Sequence, residues 1–404
     1  MVVYGFEEGV FVSPYNFVDE VRRQMRLPER VIVHDTTLRE GEQTPGVVFN
    51  MEDKLKICEM LDRVGIQQVE AGFPAASPRE KQAVKNLVYQ GFDVQIFGFA
   101  RAVRSDIDAV IDCDTYGLVL SFPPSDIHLK YKLRITREQY LERMVEMVEY
   151  AKEHGLYITY SAEDSTRTDL NFLKQVFKLG VEAGVDRARI VDTLGCILPT
   201  AMKYLVAEIR NTVDVPIEVH CHNDHGLGVA NCLAAVEAGA SVLSTSVNGL
   251  GERAGLAPTE EVILALRTLY GIRGFRTELL YDLCKLVEHI SGVPIPRSKP
   301  VTGVNVFAHV SGIHQHAILE KSITYEPYPP EMVGQRRRII LGKLSGSHAV
   351  RAKLLEYGYR PSDEEVRLVL SRVKARSEDR RSALTDEEFL EIAKNVLGDP
   401  PGQE

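Results

Sequence analysis

Short apolar runs alternate with amphipathic stretches along most of the chain. Between the runs, apolar residues recur at helical spacing, as in MEDKLKICEMLDRVG and TREQYLERMVEMVEYAKEHG, and glycine closes several of these stretches. The runs predict eight β-strands, over residues 31–38, 67–73, 94–100, 115–122, 157–164, 187–193, 216–222 and 242–249. Eight strand–helix units in about 240 residues match a closed (β/α)₈ barrel of the α/β class.

The pattern changes beyond about residue 275, and this change suggests three parts. We expect an N-terminal lead over 1–29, a TIM-barrel domain over 30–274, and a smaller, mainly helical accessory domain over 275–404. The last helix is predicted to begin at LTDEEFLEIAKNVLG, where Thr385 and Glu388 have the spacing of a capping box.

A doubly wound open sheet is the competing architecture for such an alternation. It usually has a glycine-rich phosphate loop after its first strand. In this chain the first strand is followed by the charged residues Asp35, Arg39 and Glu40. The barrel is therefore the preferred prediction.

Polar and charged residues concentrate where the predicted strands end. Barrels of this kind carry their active sites at the carboxyl ends of the strands, so these side chains are expected to converge on one rim. They are Asp35, Arg39, Glu40, Glu70, Arg101, Ser161, Glu163, Asp164, Asp192, Thr193, His220, His222 and Asn248.

Two of these residues suggest a metal site. His220 and His222 are two apart on a strand and so point to the same face. With a carboxylate such as Asp35 they form half a coordination shell for a divalent cation. The alternative for Asp35 is a cap or turn residue at the end of its strand.

Composition limits the functional class. The chain has 404 residues, 44% of them hydrophobic and 26% charged, as in an ordinary globular protein. Its net charge of −9 argues against general nucleic-acid binding. The six cysteines include no CxxC pair, and no signal peptide or membrane span is recognisable, so we expect a cytoplasmic protein with reduced thiols.

Four motifs carry a family resemblance: HDTTLREGEQTPG, HCHNDHGLGVAN, GLGERAG and SGIHQHA. With these motifs in this order, the chain resembles the DRE-TIM metallolyase superfamily from about residue 30 to about 395. It is most similar to the branch containing homocitrate, 2-isopropylmalate, citramalate and Re-type citrate synthases. The resemblance implies condensation of acetyl-CoA with a 2-oxo acid and hydrolysis of the thioester.

The resemblance also implies roles for individual residues. Asp35, His220 and His222 would bind a divalent metal (Mg, Mn, Co or Zn), with Asn231 nearby. Arg39 would stabilise the developing oxyanion, and Glu40 and Glu70 would hold metal-bound or substrate groups.

A second set of implied residues lies in the accessory domain. His314 would remove a proton from the acetyl methyl group, with Tyr325 as an accessory group. In the resembled enzymes this domain reaches into a neighbouring barrel, so a homodimer is expected.

The identity of the 2-oxo acid is less determined. Chain length, the REGEQ motif and YEPYPPE favour a homocitrate- or Re-citrate-like enzyme that uses 2-oxoglutarate or oxaloacetate. Thr159 stands where some homocitrate synthases have an arginine for the distal carboxylate, which leaves 2-isopropylmalate or citramalate synthase as an alternative. The expected substrate-binding residues are Glu70, Arg101, His128, Ser161, Glu163 and Thr193.

Two further alternatives agree less well with the motifs. Relatives that cleave hydroxymethylglutaryl-CoA have a cysteine in the loop after strand eight, and GLGERAG has none. A non-catalytic sensor of oxo acids or CoA would not need the full set of Asp35, Arg39, His220, His222 and His314.

Overall fold

The computed structural model describes residues 5–399, which form two compact units. The barrel unit is Pro14–Ile295, and the C-terminal unit contains residues 296–399 together with residues 5–13.

Eight parallel strands close into a barrel, which confirms the predicted fold class. Their order around the barrel is the order along the chain, and β1 closes the ring on β8 through the register His34↔Ser244. The strands are β1 (Ile32–Asp35), β2 (Gln68–Gly72), β3 (Gln95–Arg101), β4 (Gly117–Ser121), β5 (Tyr157–Ala162), β6 (Arg187–Asp192), β7 (Ile217–Cys221) and β8 (Val242–Thr245).

Helices alternate with these strands and pack outside them. Several of them begin and end at residues that favour helix termini. The helix Met51–Val64, for example, begins at a capping box between Asn50 and Asp53 and ends at Gly65, which has φ of 91°. The helices of the barrel unit are α1 (Asp19–Arg22), α2 (Met51–Val64), α3 (Pro78–Val88), α4 (Arg104–Ile111), α5 (Asp126–His128), α6 (Arg137–Glu153), α7 (Leu170–Ala183), α8 (Pro199–Arg210), α9 (Gly228–Glu237), α10 (Thr259–Ala265) and α11 (Leu280–Ser291).

The division between the units falls after Ile295, whereas the sequence analysis divides the chain after residue 274. The difference is α11, which packs against α2 on the outside of the barrel. Its buried face includes Leu280, Leu283 and Val287.

The C-terminal unit is mainly helical. Its elements are a two-stranded sheet of β9 (Ala308–His309) and β10 (Arg338–Ile339), and the helices α12 (Gly312–Glu320), α13 (Ser347–Glu356), α14 (Asp363–Arg380) and α15 (Asp386–Leu397). The last three helices share an apolar core that includes Leu354, Val369 and Phe389. The predicted capping box of Thr385 and Glu388 is present at the start of α15.

The barrel interior is more polar than is usual for this fold. Bulky branched residues commonly fill such a barrel, but here Arg187, Arg189 and Glu218 are buried inside it. They form ion pairs with each other and with their neighbours, Arg187–Glu218 at 3.0 Å and Arg189–Glu218 at 2.6 Å. A charged network therefore underlies the carboxyl end of the strands.

No helix among the described residues has the length and apolarity needed to cross a membrane.

Candidate active site

A cavity of about 760 Å³ lies at the carboxyl ends of the strands. Residues from the ends of different strands line it, including Ser121 of β4, Ser161 of β5 and His220 of β7. Its volume falls within the usual range for small-molecule sites, and its position is the one expected for an enzyme with this fold.

One group in this cavity is suited to bind a metal ion. Within the described residues, Glu40, His220 and His222 form a buried cluster whose possible ligand atoms all lie within 4.8 Å of one another. The Nε2 atoms of the two histidines are 3.4 Å apart, and Nε2 of His222 is 3.8 Å from a carboxylate oxygen of Glu40. The expected convergence of His220 and His222 is therefore observed.

The two imidazoles are held in the neutral form that metal binding requires. Burial lowers the pKa of His220 well below its ordinary value, and the neighbouring His222 lowers it further. Burial also lowers the pKa of His222, although the Glu40 carboxylate opposes this shift. Ser244 lies 2.9 Å from Nδ1 of His220, which leaves Nε2 of that ring for a ligand bond.

The donor set fits a divalent cation. Two neutral imidazole nitrogens that face each other at 3.4 Å need a proton or a cation between them to be satisfied. With the Glu40 carboxylate they provide two nitrogen ligands and one oxygen ligand, which many divalent metals accept.

Asp35 lies outside this cluster, in contrast to the metal-ligand role that the sequence analysis gave it. One of its oxygens accepts a hydrogen bond from the backbone N–H of Thr37 at 2.8 Å, and the other accepts one from the Thr259 hydroxyl at 2.6 Å. Asp35 thus has the partners of a residue that fixes the turn after β1. The structure brings Glu40, from the loop that follows Asp35, to the histidines instead.

Asn231 is buried on α9 but is not among the residues that line the cavity. Its amide nitrogen donates to the carbonyl of Ile197 at 3.1 Å, while its side-chain oxygen has no hydrogen-bond partner within the described chain. Asn231 therefore supports the loop after β6.

Arg39 lies beside the metal-binding cluster in a chain of ion pairs. Its guanidinium donates to both Glu40 and Glu70 and lies over the ring of Phe99, at 4.7 Å from the centroid. Glu70 in turn accepts from Arg189 at 3.0 Å. Burial alone would raise the pKa of Glu70, but the charges of Arg39 and Arg189 lower it to about 2.

The GLGERAG loop also contacts Glu40. The backbone N–H of Glu252 donates to the Glu40 carboxylate at 3.2 Å. The loop needs glycine, because a Cβ added to Gly255, which has φ of 76°, would lie 1.8 Å from the carbonyl oxygen of Gly249. The tight turn thus positions a candidate ligand.

The expected substrate-binding residues divide into two groups. Ser161, Thr193, Arg101 and Glu163 line the cavity, although Arg101 is paired with Asp106 at 2.7 Å and Glu163 with Lys132 at 2.7 Å. Glu70 and His128 are not among the lining residues.

Glu70 acts through Arg39, whose guanidinium donates to its carboxylate. The His128 ring lies 3.6 Å from Glu163 and 4.0 Å from Asp164, so it contacts the acidic residues that follow β5.

His314 and Tyr325 belong to the C-terminal unit, where their rings lie 4.0 Å apart. His314 is exposed, and 45% of Tyr325 is exposed. The structure therefore brings these two predicted residues together.

Sequence reasoning did not select Arg143 or Arg189, both of which line the cavity. A signal for Arg189 was present in RARIVDT, where two arginines alternate within a strand that is otherwise apolar. Arginines at that spacing share a face and need buried acidic partners, which Glu218 and Glu70 provide. Arg143 lies on an ordinary amphipathic helix, and its sequence context gives no such signal.

Comparisons with known proteins agree with this geometry. The HMGL-like family matches residues 30–291, and the family described as "Homocitrate synthase post-HMGL domain-like" matches residues 301–381. Homocitrate synthase AksA of Methanopyrus kandleri is 52% identical over 386 residues, which cover 95% of this chain and 96% of that protein.

A relative with a different name is nearly as similar. The probable 2-isopropylmalate synthase of Ignicoccus hospitalis is 50% identical over 374 residues, which cover 92% of this chain and 93% of that protein. Since that protein is covered almost completely, chain length does not distinguish the two types of enzyme.

The fold is shared with a solved structure of low sequence identity. The HMG-CoA lyase of Bacillus subtilis aligns with a TM-score of 0.61 at 19% identity, covering 67% of this chain and 97% of that one. The two family matches and the relatives confirm the resemblance found in the sequence. The chain belongs to the HMGL-like family, in its homocitrate and isopropylmalate synthase branch.

Proposed function

We propose that this protein condenses acetyl-CoA with a 2-oxo acid and hydrolyses the resulting thioester, releasing CoA. The observation that carries the proposal is the cluster of Glu40, His220 and His222 beside Arg39, in the cavity at the carboxyl end of the barrel. The names of the homocitrate synthase and 2-isopropylmalate synthase relatives support it.

Glu40, His220 and His222 would hold a divalent metal, which supplies Lewis-acid polarisation of the ketone. Arg39 would donate to the oxygen that becomes negatively charged when carbon attacks the ketone. Glu70 keeps the guanidinium of Arg39 in place, and the low pKa of Glu70 keeps this pair charged at neutral pH. The hydroxyls of Ser161 and Thr193 would orient the oxo acid.

The acetyl methyl group must lose a proton before it can attack. His314 would accept that proton, because imidazole is the side chain that most often serves as a general base, and Tyr325 packs against its ring. In this proposal the C-terminal unit of one subunit completes the barrel site of its partner in a cytoplasmic homodimer. Replacing His314 should therefore stop turnover and leave oxo-acid binding intact.

We propose a dicarboxylic oxo acid, 2-oxoglutarate or oxaloacetate, as the substrate. Thr159 stands in place of an arginine, but Arg143 lines the same cavity and has no carboxylate partner within the described residues, so it can compensate. A second carboxylate needs such a cation, whereas a branched apolar chain gains nothing from it. The 2-isopropylmalate or citramalate synthase activity is the second candidate, because a relative with the former name is 50% identical.

The test is CoA release from acetyl-CoA with Mg²⁺ or Mn²⁺, measured in parallel with 2-oxoglutarate, oxaloacetate, 2-oxoisovalerate and pyruvate. A higher kcat/KM for a dicarboxylate supports the proposed substrate class. A preference for 2-oxoisovalerate or pyruvate supports the second candidate. Absence of CoA release with all four acids, from protein shown to bind the metal, would contradict the proposed condensation.

A further inference from the structure

Six cationic residues line the cavity: Arg39, Arg101, Lys132, Arg143, Arg189 and Arg253. Five of them have a carboxylate within 4.0 Å, namely Glu40 and Glu70 for Arg39, Asp106 for Arg101, Glu163 for Lys132, Glu70 and Glu218 for Arg189, and Asp224 for Arg253. The sixth is Arg143, which has no carboxylate within 4.0 Å among residues 5–399. Its positive charge is therefore available to a ligand.

The guanidinium of Arg143 is held in a defined position. Its Nε donates to the backbone carbonyl of Ala102 at 2.8 Å, and its Cζ lies over the ring of Phe122, at 5.3 Å from the centroid. Phe122 is itself stacked on Tyr140, with centroids 4.3 Å apart and rings 6° from parallel. The Tyr140 hydroxyl donates to the carbonyl of Phe122 at 2.9 Å.

The anchoring leaves one edge of the guanidinium unused. Neither Nη atom of Arg143 has a partner in the described part of the chain. An arginine whose Nε is already bound presents two Nη donors, which can bind two oxygens of a carboxylate or phosphate. Since its position is fixed in advance, little conformational entropy is lost when an anion binds.

The strand order places this arginine opposite the candidate metal ligands. Ala102 follows β3 and Phe122 follows β4, whereas the two histidines lie at the end of β7 and Glu40 follows β1. In a closed barrel of eight strands in sequence order, β4 is diametrically opposite β8, which lies between β7 and β1. A ligand that reaches both groups must therefore extend across the cavity.

We propose that Arg143 forms an anion subsite, which binds an oxyanion of the substrates on the side of the cavity opposite Glu40, His220 and His222. This inference rests on the proposed condensation. Two substrate groups have the required chemistry: the distal carboxylate of a dicarboxylic 2-oxo acid and a phosphate of CoA. If the carboxylate is the group bound, Arg143 selects for a 2-oxo acid with a second negative charge; if the phosphate is bound, it positions CoA.

The test compares Arg143→Gln and Arg143→Lys with the wild type in steady-state kinetics. Each charged substrate is paired with an analogue that lacks the charge: 2-oxoglutarate with 2-oxovalerate, and acetyl-CoA with acetyl-pantetheine. Arg104→Gln is the matched control, because Arg104 is a nearby arginine that is already paired with Glu146 at 3.0 Å. Thermal unfolding verifies that each variant is folded.

Loss of a charge-assisted bidentate contact should lower kcat/KM by about tenfold or more. In R143Q we expect this loss for one charged substrate and not for its neutral analogue, with partial recovery in R143K. Loss confined to 2-oxoglutarate identifies the carboxylate, and loss confined to acetyl-CoA identifies the phosphate. Equal losses for charged and neutral analogues, or no loss relative to R104Q, would overturn the subsite.

Failure of the proposed function is separable from failure of the subsite. Wild-type protein that releases no CoA with any oxo acid contradicts the condensation alone. Calorimetric titration of wild type and R143Q with 2-oxoglutarate and with CoA then tests the subsite directly. A weaker affinity of R143Q for one of them supports it, and equal affinities for both overturn it.

Discussion

Asp35 ends β1, Glu40 lies five residues later in the loop that follows, and the two carboxylates have different surroundings. Each oxygen of the Asp35 carboxylate accepts one hydrogen bond, from Thr37 or from Thr259, whereas the Glu40 carboxylate lies beside His222 and Arg39. Sequence could predict that a carboxylate from this part of the chain would join the histidines, but not which one. The choice depends on the path of the turn after β1, and the residue spacing does not specify that path.

This difference predicts opposite results for two isosteric substitutions. Glu40→Gln should weaken Mn²⁺ binding by at least about 10- to 100-fold. Losses of about this size are usual when a residue that only hydrogen-bonds to a metal ligand is replaced, and the loss of a ligand should be no smaller. Asp35→Asn should leave Mn²⁺ affinity close to that of the wild type, because Asp35 lies outside the metal-binding cluster. Calorimetric titration with Mn²⁺ measures both. If D35N weakened binding and E40Q did not, Asp35 would be the metal ligand that the sequence motif implies.

Asp35 also gives a prediction for stability against pH. The pKa of Asp35 is raised from 3.8 to about 6 because the carboxyl group is buried. The hydrogen bonds from Thr259 and Thr37 lower the pKa, but by less than burial raises it. The folded state thus binds this proton more tightly than the unfolded state does. The protonated carboxyl contributes on the order of 3 kcal/mol to the free energy of unfolding. This contribution is fully present below about pH 4 and is lost as the pH rises through about 6.

Asp35→Asn removes this titration, and Asn can keep both hydrogen bonds. The free energy of unfolding of D35N relative to wild type should therefore increase between pH 4 and pH 6.5. Urea unfolding at a series of pH values, with EDTA present, measures the difference. Asp93→Asn, at an exposed position before β3, is the control. Parallel pH profiles for D35N and wild type would contradict the raised pKa.

At the scale of elements, hydrophobic periodicity predicted most of the fold. All eight strands were found close to their expected positions, because short apolar runs bounded by glycine and polar residues are specific to buried parallel strands. The helices α4 and α10 were not predicted. Both are short, and neither has a side-chain cap at its first turn, so the usual signal for a helix start is missing.

The helix α2 holds the loop after β1 in place through Lys54. This fully buried ammonium donates to the carbonyls of Leu38 and Ala71 at 3.0 and 3.1 Å, and it pairs with Glu42 and Glu80 at 2.7 and 2.6 Å. It therefore joins the residue before Arg39 to the end of β2. In the sequence Lys54 is one of two lysines on this helix, and nothing there marks it as the buried one.

Lys54→Met should destabilise the protein by about 3 kcal/mol, the lower end of the range for breaking a buried ion pair. It leaves two carboxylates and two carbonyls without their shared donor. Lys56→Met on the same helix is the matched control, because Lys56 is half exposed and its pair with Glu52 is screened by solvent. Urea unfolding should show a much larger loss for K54M. Equal losses would indicate that the buried ammonium has no structural role.

At the scale of the whole molecule, the two units have unequal shares in the proposed chemistry. The barrel unit contains the metal-binding cluster and the cavity, while the proposed base, His314, lies in the C-terminal unit. The two family matches divide in the same way, over 30–291 and 301–381. Sequence could assign His314 only through family resemblance, because an exposed histidine has no pattern of its own.

Mixing two inactive variants tests whether one subunit completes the site of another. His220→Ala removes a candidate metal ligand from the barrel, and His314→Ala removes the proposed base. In a mixed dimer, the barrel of the H314A chain is intact and receives His314 from the H220A chain. Random exchange makes half of the dimers mixed, with one intact site each, so about a quarter of wild-type activity should return.

If His314 instead serves the barrel of its own chain, every site in a mixed dimer lacks one essential residue and no activity returns. Subunits are exchanged by mild urea treatment and dialysis, and CoA release is then measured. Two differently tagged wild-type chains taken through the same treatment are the control, since co-purification of the tags shows how many mixed dimers form and the remaining activity shows how many sites survive. Recovery from the two single variants therefore separates a shared site from a self-contained one, whichever surfaces form the dimer interface.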